Sequence, residues 1–315
     1  MREKILIAGA AGFVGRRLLG ALCSQGYEPV CLVRSKARLQ GMDAGLRYSV
    51  VEADLLDRES LKRALEGVGF AYYLVHSMRS QAVVRSDDFA DRDRRAAQNF
   101  VEAAQTHGVE RIVYLGGLGE LGDRLSKHLA SRQEVARILS CGKPKVTELR
   151  AANIMGAGGA PFEMLRYLAE RLPLMIAPRW IDTRCQPIDI QDALKYLIGC
   201  YREEATAGAR FDIGGPEILT YREMIRKYAR VRGFRRIVLS VPVLTPRLAS
   251  LWVALISPVP AAIVLPLIEG LKNEVVCGEN RIRDIIAIAL TPMDTSIRIA
   301  LEETRTGPGR QTRTF

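Results

Sequence analysis

A strand-like run near the N-terminus, Lys4–Ala8 (KILIA), gives way to Gly9-Ala10-Ala11-Gly12-Phe13-Val14-Gly15 and then to a stretch with helical apolar spacing at Val14, Leu18, Leu19 and Leu22. Glycine serves three ends in such a loop. One turns the chain, one lets backbone approach a pyrophosphate, and one lets the helix sit close to the strand. The helix N-terminus then offers unbonded N–H groups and the positive end of its dipole to the phosphates. Gly9, Ala11, Gly12, Phe13, Val14 and Gly15 are therefore the expected cradle for a dinucleotide. About 20 residues further on, an NAD-selective domain places Asp or Glu on the ribose hydroxyls. Here that position reads Val33-Arg34-Ser35-Lys36. Arg34 can meet a 2′-phosphate and stack on adenine, and Lys36 adds a second cation, so NADP(H) is expected in preference to NAD(H).

Other side chains with chemical potential are few. Of the 3 histidines, His107 sits in a helix-ending Thr-His-Gly, whereas His76 closes a strand-like run with Ser77 next to it. A histidine titrates near neutrality, so His76 and His128 are the candidates for proton transfer. Val75, His76 and Ser77 should face a cofactor from the carboxyl edge of a sheet. Arg179, Arg184 and Gln186 can meet an acidic substrate. The 6 cysteines are scattered, with no C-x-x-C pair and no Cys/His ligand spacing, which excludes a disulfide framework and a structural zinc site, and no metal is expected.

The elements that must position these groups alternate. After Lys4–Ala8 come strand-like runs at Pro29–Val33, Tyr48–Glu52, Phe70–Val75, Arg111–Leu115 and Val146–Leu149. Helices are expected near 14–25, 58–66 (capped by Asp57 and stopped by Gly67), 88–107 and 126–140. Nearly all-apolar strands joined by helices imply a parallel sheet covered on both faces, a doubly wound α/β domain over residues 1–150. From 151 to 302 a smaller lobe, interleaved with the sheet, is expected over its carboxyl edge, where open α/β sheets bind ligands. It holds helices near 162–171 and 191–202, a strand at Phe211–Ile213, and a capping box Thr220-x-x-Glu223 opening a helix to about Arg232. Residues 303–315 read as a frayed tail. No internal repeat is present.

Composition agrees with an ordinary globular chain: 315 residues, 48% hydrophobic and 26% charged, with a net charge of +11. This excludes disorder and a fibrous rod, and it favours anionic partners such as nucleotides, nucleic acid or acidic lipid. Arg222–Arg236 carries 7 basic residues, but no nucleic-acid motif accompanies them and a solvated face is the expectation. Without the long apolar run of a signal peptide at the N-terminus, the cytoplasm is the expected compartment. Leu248–Ile268 (LASLWVALISPVPAAIVLPLI) is uncharged and about as long as a spanning helix of roughly 20 residues. Pro258, Pro260 and Pro266 interrupt it, so two short apolar helices are expected, packed on the domain or lining a lipophilic pocket. Peripheral membrane or protein contact through this segment is a further expectation.

Several segments together resemble the atypical extended short-chain dehydrogenases/reductases. The loop spacing G-x-x-G-x-x-G is typical of them. Glu52-Ala53-Asp54-Leu55 is similar to the segment whose Asp contacts adenine, and Leu149-Arg150-Ala151-Ala152-Asn153-Ile154-Met155-Gly156 to the segment beside the nicotinamide. Gln186-Pro187-Ile188-Asp189 and Phe211–Thr220 resemble two later family segments, so the likeness spans roughly residues 1–235. More narrowly, Tyr73–Met78, Tyr114–Gly119 and Pro178-Arg179-Trp180 resemble a bacterial branch of NAD(P)H-binding, epimerase/dehydratase-type proteins, akin to NmrA-like sensors and to a reductase-like accessory subunit of respiratory complex I. The resemblance implies a Rossmann-type fold and a nicotinamide dinucleotide, with Asp54, Leu55, Leu115, Gly116 and Ala151 along its path and Asn153 toward the substrate.

The catalytic pattern of that family departs here. Active members carry Tyr-x-x-x-Lys after the fifth strand. Alignment puts His128 at the Tyr position and Arg132 at the Lys position, and leaves Gly116–Gly119 where a Ser or Thr would hold the carbonyl oxygen. On the enzymatic reading His128 is the general acid, Arg132 holds ribose or phosphate, and Ser126 or Ser77 orients the carbonyl of a small, lipophilic substrate. On the alternative reading the chain binds NADP(H) without chemistry, as a redox sensor or an assembly subunit.

Overall fold

The computed structural model describes residues 4–42, 45–76, 86–119, 127–241 and 273–306 and, within these, not the side chains of 86–89 and 127–128. Thirteen strands occur among them: β1 (Lys4–Ala8), β2 (Val30–Val33), β3 (Ser49–Glu52), β4 (Val68–Tyr73), β5 (Arg111–Gly117), β6 (Lys145–Ala151), β7 (Ile154–Met155), β8 (Leu174–Pro178), β9 (Arg184–Cys185), β10 (Ile188–Asp189), β11 (Arg210–Ile213), β12 (Leu219–Thr220) and β13 (Ile237–Val241). The helices are α1 (Phe13–Ser24), α2 (Arg58–Ala64), α3 (Ser86–Thr106), α4 (Lys127–Ser140), α5 (Ala160–Arg171), α6 (Ile190–Arg202), α7 (Tyr221–Val231), α8 (Ile282–Ile285) and α9 (Met293–Thr306).

Seven strands form one parallel sheet in the order β11-β6-β5-β4-β1-β2-β3. The order reverses between β1 and β4, which opens a crevice at their carboxyl ends, where the glycine loop leaves β1. The central strands are buried on both faces, as their uninterrupted apolar runs require: Leu6, Ile7, Ala71, Tyr72, Ile112 and Val113 are all fully buried. One face packs Leu18, Leu19 and Leu22 of α1 together with α6, and Tyr72 donates its hydroxyl to the Leu197 carbonyl at 3.2 Å. The other face packs Phe100 and Ala104 of α3 with Val135 and Leu139 of α4.

The expected boundary near residue 150 is crossed by the chain. β11 and α6, from the second half of the sequence, complete the sheet and one of its covering layers. The lobe proper has its own core of Phe162, Met175, Ile225, Tyr228, Val238 and Ile297 between α5, α7, α9 and the parallel pair β8–β13. The Thr220–Glu223 capping box and the Asp57 cap both form as the residue types dictate. Contrary to expectation, the chain does not fray at 303, because α9 continues to Thr306 and Glu303 is buried against Arg17 at 3.1 Å. Leu248–Ile268, Ser77, Ser126 and residues 307–315 lie outside the described residues. Among the described residues no helix is long and apolar enough to cross a membrane.

Candidate functional site

The glycine loop is built as its composition requires. Gly9 has φ +94°, in the left-handed region, and a Cβ there would lie 3.0 Å from the Leu74 backbone. The Gly12 N–H donates to the Gly9 carbonyl at 2.9 Å, and Gly12 caps α1 with no side-chain hydrogen bond of its own. A Cβ on Gly15 would stand 2.2 Å from the Gly9 oxygen and 2.8 Å from the Ala10 Cα. The first turn of α1 carries no acidic residue. Its N–H groups and dipole are therefore left for an anion, and an acidic side chain does not compete for them. These features fit a pyrophosphate between α1 and the loop. Phe13 also reaches across to the lobe. Its ring packs under the backbone after β7, where a Cβ on Gly159 would come within 2.9 Å of it, so the loop and the lobe are clamped together.

Arg34 and Lys36 are exposed at the end of β2. Their neighbour in space is one that sequence reading missed. Glu52 ends β3 in register with Val33, and its carboxylate accepts the Lys36 backbone N–H at 2.6 Å. The Arg16 guanidinium donates to the carbonyls of Arg38 and Gln40, which ties this loop to α1. Asp54 is exposed beyond β3, and its carboxylate accepts the Leu56 N–H at 3.0 Å. Leu55 is buried in the core, where its carbonyl accepts from Asn99 at 3.0 Å.

The carboxyl edge of β4 runs through Leu74, Val75 and His76, with the Leu74 N–H donating to the Ala8 carbonyl at 2.9 Å directly beside the loop. His76 is four-fifths buried, and its Nδ1 lies 3.6 Å from Oδ2 of the buried Asp93 on α3. Ser131 of α4 is 3.4 Å from the same oxygen. Burial is the main influence on the imidazole and lowers its pKa from 6.5. Asp93 acts against that shift, and the nearby Arg132 acts with it. Asp93 is a second site residue that sequence reading missed, because only the packing of α3 on β4 brings it there.

Arg132 docks its guanidinium on the Leu115 carbonyl at 2.7 Å and lies along Gly117, whose missing side chain leaves room for it. His128 is one turn earlier on α4, and its side chain lies outside those described. Gly116 faces Glu148, which a Cβ would approach to 3.2 Å, and the Ala151 carbonyl accepts from Leu118 at 2.8 Å. The three candidate substrate residues are differently engaged. Asn153 is within 3.5 Å of the hydroxyl of half-buried Tyr221, Arg184 faces Glu274 at 3.4 Å, and the Gln186 amide bridges the Gly215 carbonyl at 2.8 Å and the Cys277 N–H at 3.0 Å.

A seven-stranded parallel sheet with the glycine loop at its switch point defines a Rossmann-type dinucleotide-binding protein. Residues 9–153 match the model of an NAD(P)H-binding family. Nearly half of the chain thus matches an NAD(P)H-binding family, and the fold is the one the resemblance implied. The ceramide reductase of Caulobacter vibrioides is 26% identical over 242 residues, which are 76% of this chain and 74% of that one. A nucleoside-diphosphate-sugar epimerase from Staphylococcus aureus has the same fold, with a TM-score of 0.74 at 17% identity over 94% of this chain and 99% of that one. The Citrobacter triphenylmethane reductase in complex with NADP(H) superposes with a TM-score of 0.73 at 16% identity, over 94% and 100% of the two chains.

Proposed function

We propose that the protein is an NADPH-dependent reductase acting on a carbonyl of a lipophilic substrate, with His76 handling the proton. The observation that carries this reading is the pairing of His76 with the buried Asp93, at 3.6 Å, on the strand end that packs against the glycine loop. A carboxylate behind Nδ1 fixes the tautomer and makes Nε2 the nitrogen that exchanges the proton. The separation is longer than a formed hydrogen bond, and such contacts commonly tighten once substrate is present. The chemistry the dinucleotide supplies when bound is a hydride, passed from its nicotinamide to the carbonyl carbon. His76, once it has taken a solvent proton onto Nε2, gives that proton to the carbonyl oxygen and is left neutral, so that ketone, NADPH and one proton become alcohol and NADP⁺. Gly9, Gly12 and Gly15 hold the pyrophosphate, Arg34 and Lys36 the 2′-phosphate, and Asp54 the adenosine. Arg132 orients the ribose side of the cleft.

A lipophilic substrate is favoured by the likeness to a reductase named for ceramide, a lipid, over three quarters of this chain. A second reading, a binding module without chemistry, is favoured by Arg132. Its guanidinium is engaged by Leu115 at 2.7 Å, and it cannot shuttle protons as the Lys of active relatives does.

The deciding experiment measures NADPH oxidation against long-chain and polycyclic ketones with wild type, His76→Asn and His128→Ala. The expected result is turnover that falls by about 10²–10⁴-fold in His76→Asn while NADPH affinity is unchanged. Loss confined to His128→Ala would move the proton to α4. Tight NADPH binding with no turnover on any ketone would favour the binding module.

A further inference from the structure

The parallel pair β8–β13 has an apolar face that none of the described residues covers. Leu174 and Ile237 are in direct register, as are Ile176 and Leu239, and in a parallel ladder paired residues point to the same side. Their neighbours Met175 and Val238 fill the lobe core, while these four stand 48%, 59%, 51% and 50% exposed. They are most of the exposed large hydrophobic residues among the described ones; Leu56 and Ile218 are the others. Parallel ladders occur almost wholly with both faces covered, and a contiguous apolar patch marks an interaction site, whereas single exposed side chains do not.

The surroundings identify the occupant. No Asp or Glu occurs from Arg171 to Ile181 or from Met224 to Ile268, so neither strand carries negative charge. Asp182, the next acid along the chain, is neutralised by Arg222 at 2.6 Å. Arg235 precedes β13 and Arg179 follows β8; both are exposed and form no ion pair with the described residues. Phe234 lies beneath the guanidinium of Arg236 at 4.5 Å, and Trp180 follows Arg179, so half-buried aromatic rings stand among the arginines at the rim. An apolar centre with a cationic rim is complementary to an anionic bilayer surface, where arginines meet headgroups and aromatic rings sit at the interface. It is not complementary to a second copy of itself, because a twofold pairing would set cation against cation.

We infer that the β8–β13 face docks the protein on anionic lipid membranes. The docking stands on the face alone. That it also brings a membrane-dissolved substrate to the reductase site rests on the function proposed above.

The test is flotation of the full chain with vesicles of phosphatidylcholine alone and of phosphatidylcholine mixed with phosphatidylglycerol. The variants are Ile176→Asp/Leu239→Asp, the milder Ile176→Ser/Leu239→Ser, and Arg179→Glu/Arg235→Glu. NADPH titration and thermal unfolding accompany each variant as checks of folding. Wild type should float with the anionic vesicles and be released by salt, and each charge-altering pair should lose about tenfold or more in affinity at unchanged NADPH binding. Three results would overturn the inference. The first is a wild type that stays off both vesicles, and the second is equal binding by all variants. The third is face variants that abolish a concentration-dependent dimer or lower the melting temperature without any vesicle binding, which would mean that protein covers the face. Vesicle binding without turnover on any ketone would leave the docking standing and remove the reductase reading.

Discussion

The Gly9 carbonyl oxygen occupies the space where a side chain on Gly15 would have to begin; a Cβ there would lie 2.2 Å away. Backbone is on both sides of the contact, so neither partner can yield without shifting the loop. Gly15→Ala is therefore expected to abolish measurable NADPH binding and to cost about 1–3 kcal/mol of stability. Gly20, further along α1, has nothing within 4 Å of its Cβ position. Gly20→Ala should leave binding unchanged and stabilise the helix by about 0.5–1 kcal/mol. Calorimetric titration and denaturant unfolding of the two variants side by side check both halves.

The nucleotide preference turns on charge at the end of β2. Arg34→Glu should weaken NADPH by at least about 10-fold, since a charge-assisted contact to phosphate is worth roughly 1.5–3 kcal/mol, and should spare NADH. Glu52 is the counterweight: it lies beside the same loop through its 2.6 Å contact with the Lys36 N–H. Glu52→Gln should therefore shift the ratio further toward NADPH. Parallel titrations with the two nucleotides read this directly, and equal losses for both would remove the phosphate contact.

His76 makes stability depend on pH in a defined direction. Burial lowers its pKa in the folded protein from 6.5, so between that lowered value and 6.5 the unfolded chain binds more protons. Stability is then full above 6.5, falls as the pH drops through this window, and levels off below it. The slope from this residue is at most about 1.4 kcal/mol per pH unit. Asp93 and Arg132 face the same imidazole and act in opposite directions. His76→Gln should remove the slope, and Asp93→Asn should widen the window by taking away the group that favours protonation. Denaturant unfolding between pH 4.5 and 8 (about the range of histidine titration) follows it.

The sheet edge carries a buried ion pair that can be broken cleanly. Arg150 on β6 meets Asp212 on β11 at 2.6 Å, with Asp212 almost fully buried, and the same carboxylate accepts the Gly278 N–H at 2.9 Å. Asp212→Ala leaves a guanidinium and a backbone donor without their acceptor and should cost about 3–5 kcal/mol. Replacing both partners, as Arg150→Met with Asp212→Leu, should recover a large part of that loss. Urea unfolding of the single and double variants measures the coupling.

Local chemistry made much of this protein legible in its sequence. The apolar runs at β1, β4 and β5 mark strands buried on both faces, Asp57 and Thr220 mark helix starts by the donors they satisfy, and Gly9 and Gly15 mark the tight loop after β1, because a left-handed φ at the first and the absence of room for a Cβ at the second require glycine. Each of these signals lies within a few residues of the structure it specifies. What the tertiary structure alone decided are the contacts between distant segments. β11 joins β6, Glu52 reaches the Lys36 N–H, Asp93 arrives behind His76, and β13 pairs with β8 so that four aliphatic side chains share one open face. Periodicity shows which side of a strand is apolar, but it cannot show whether that side will be covered. That depends on which partner strand and helix come to lie against it, and the packing of the whole chain selects them.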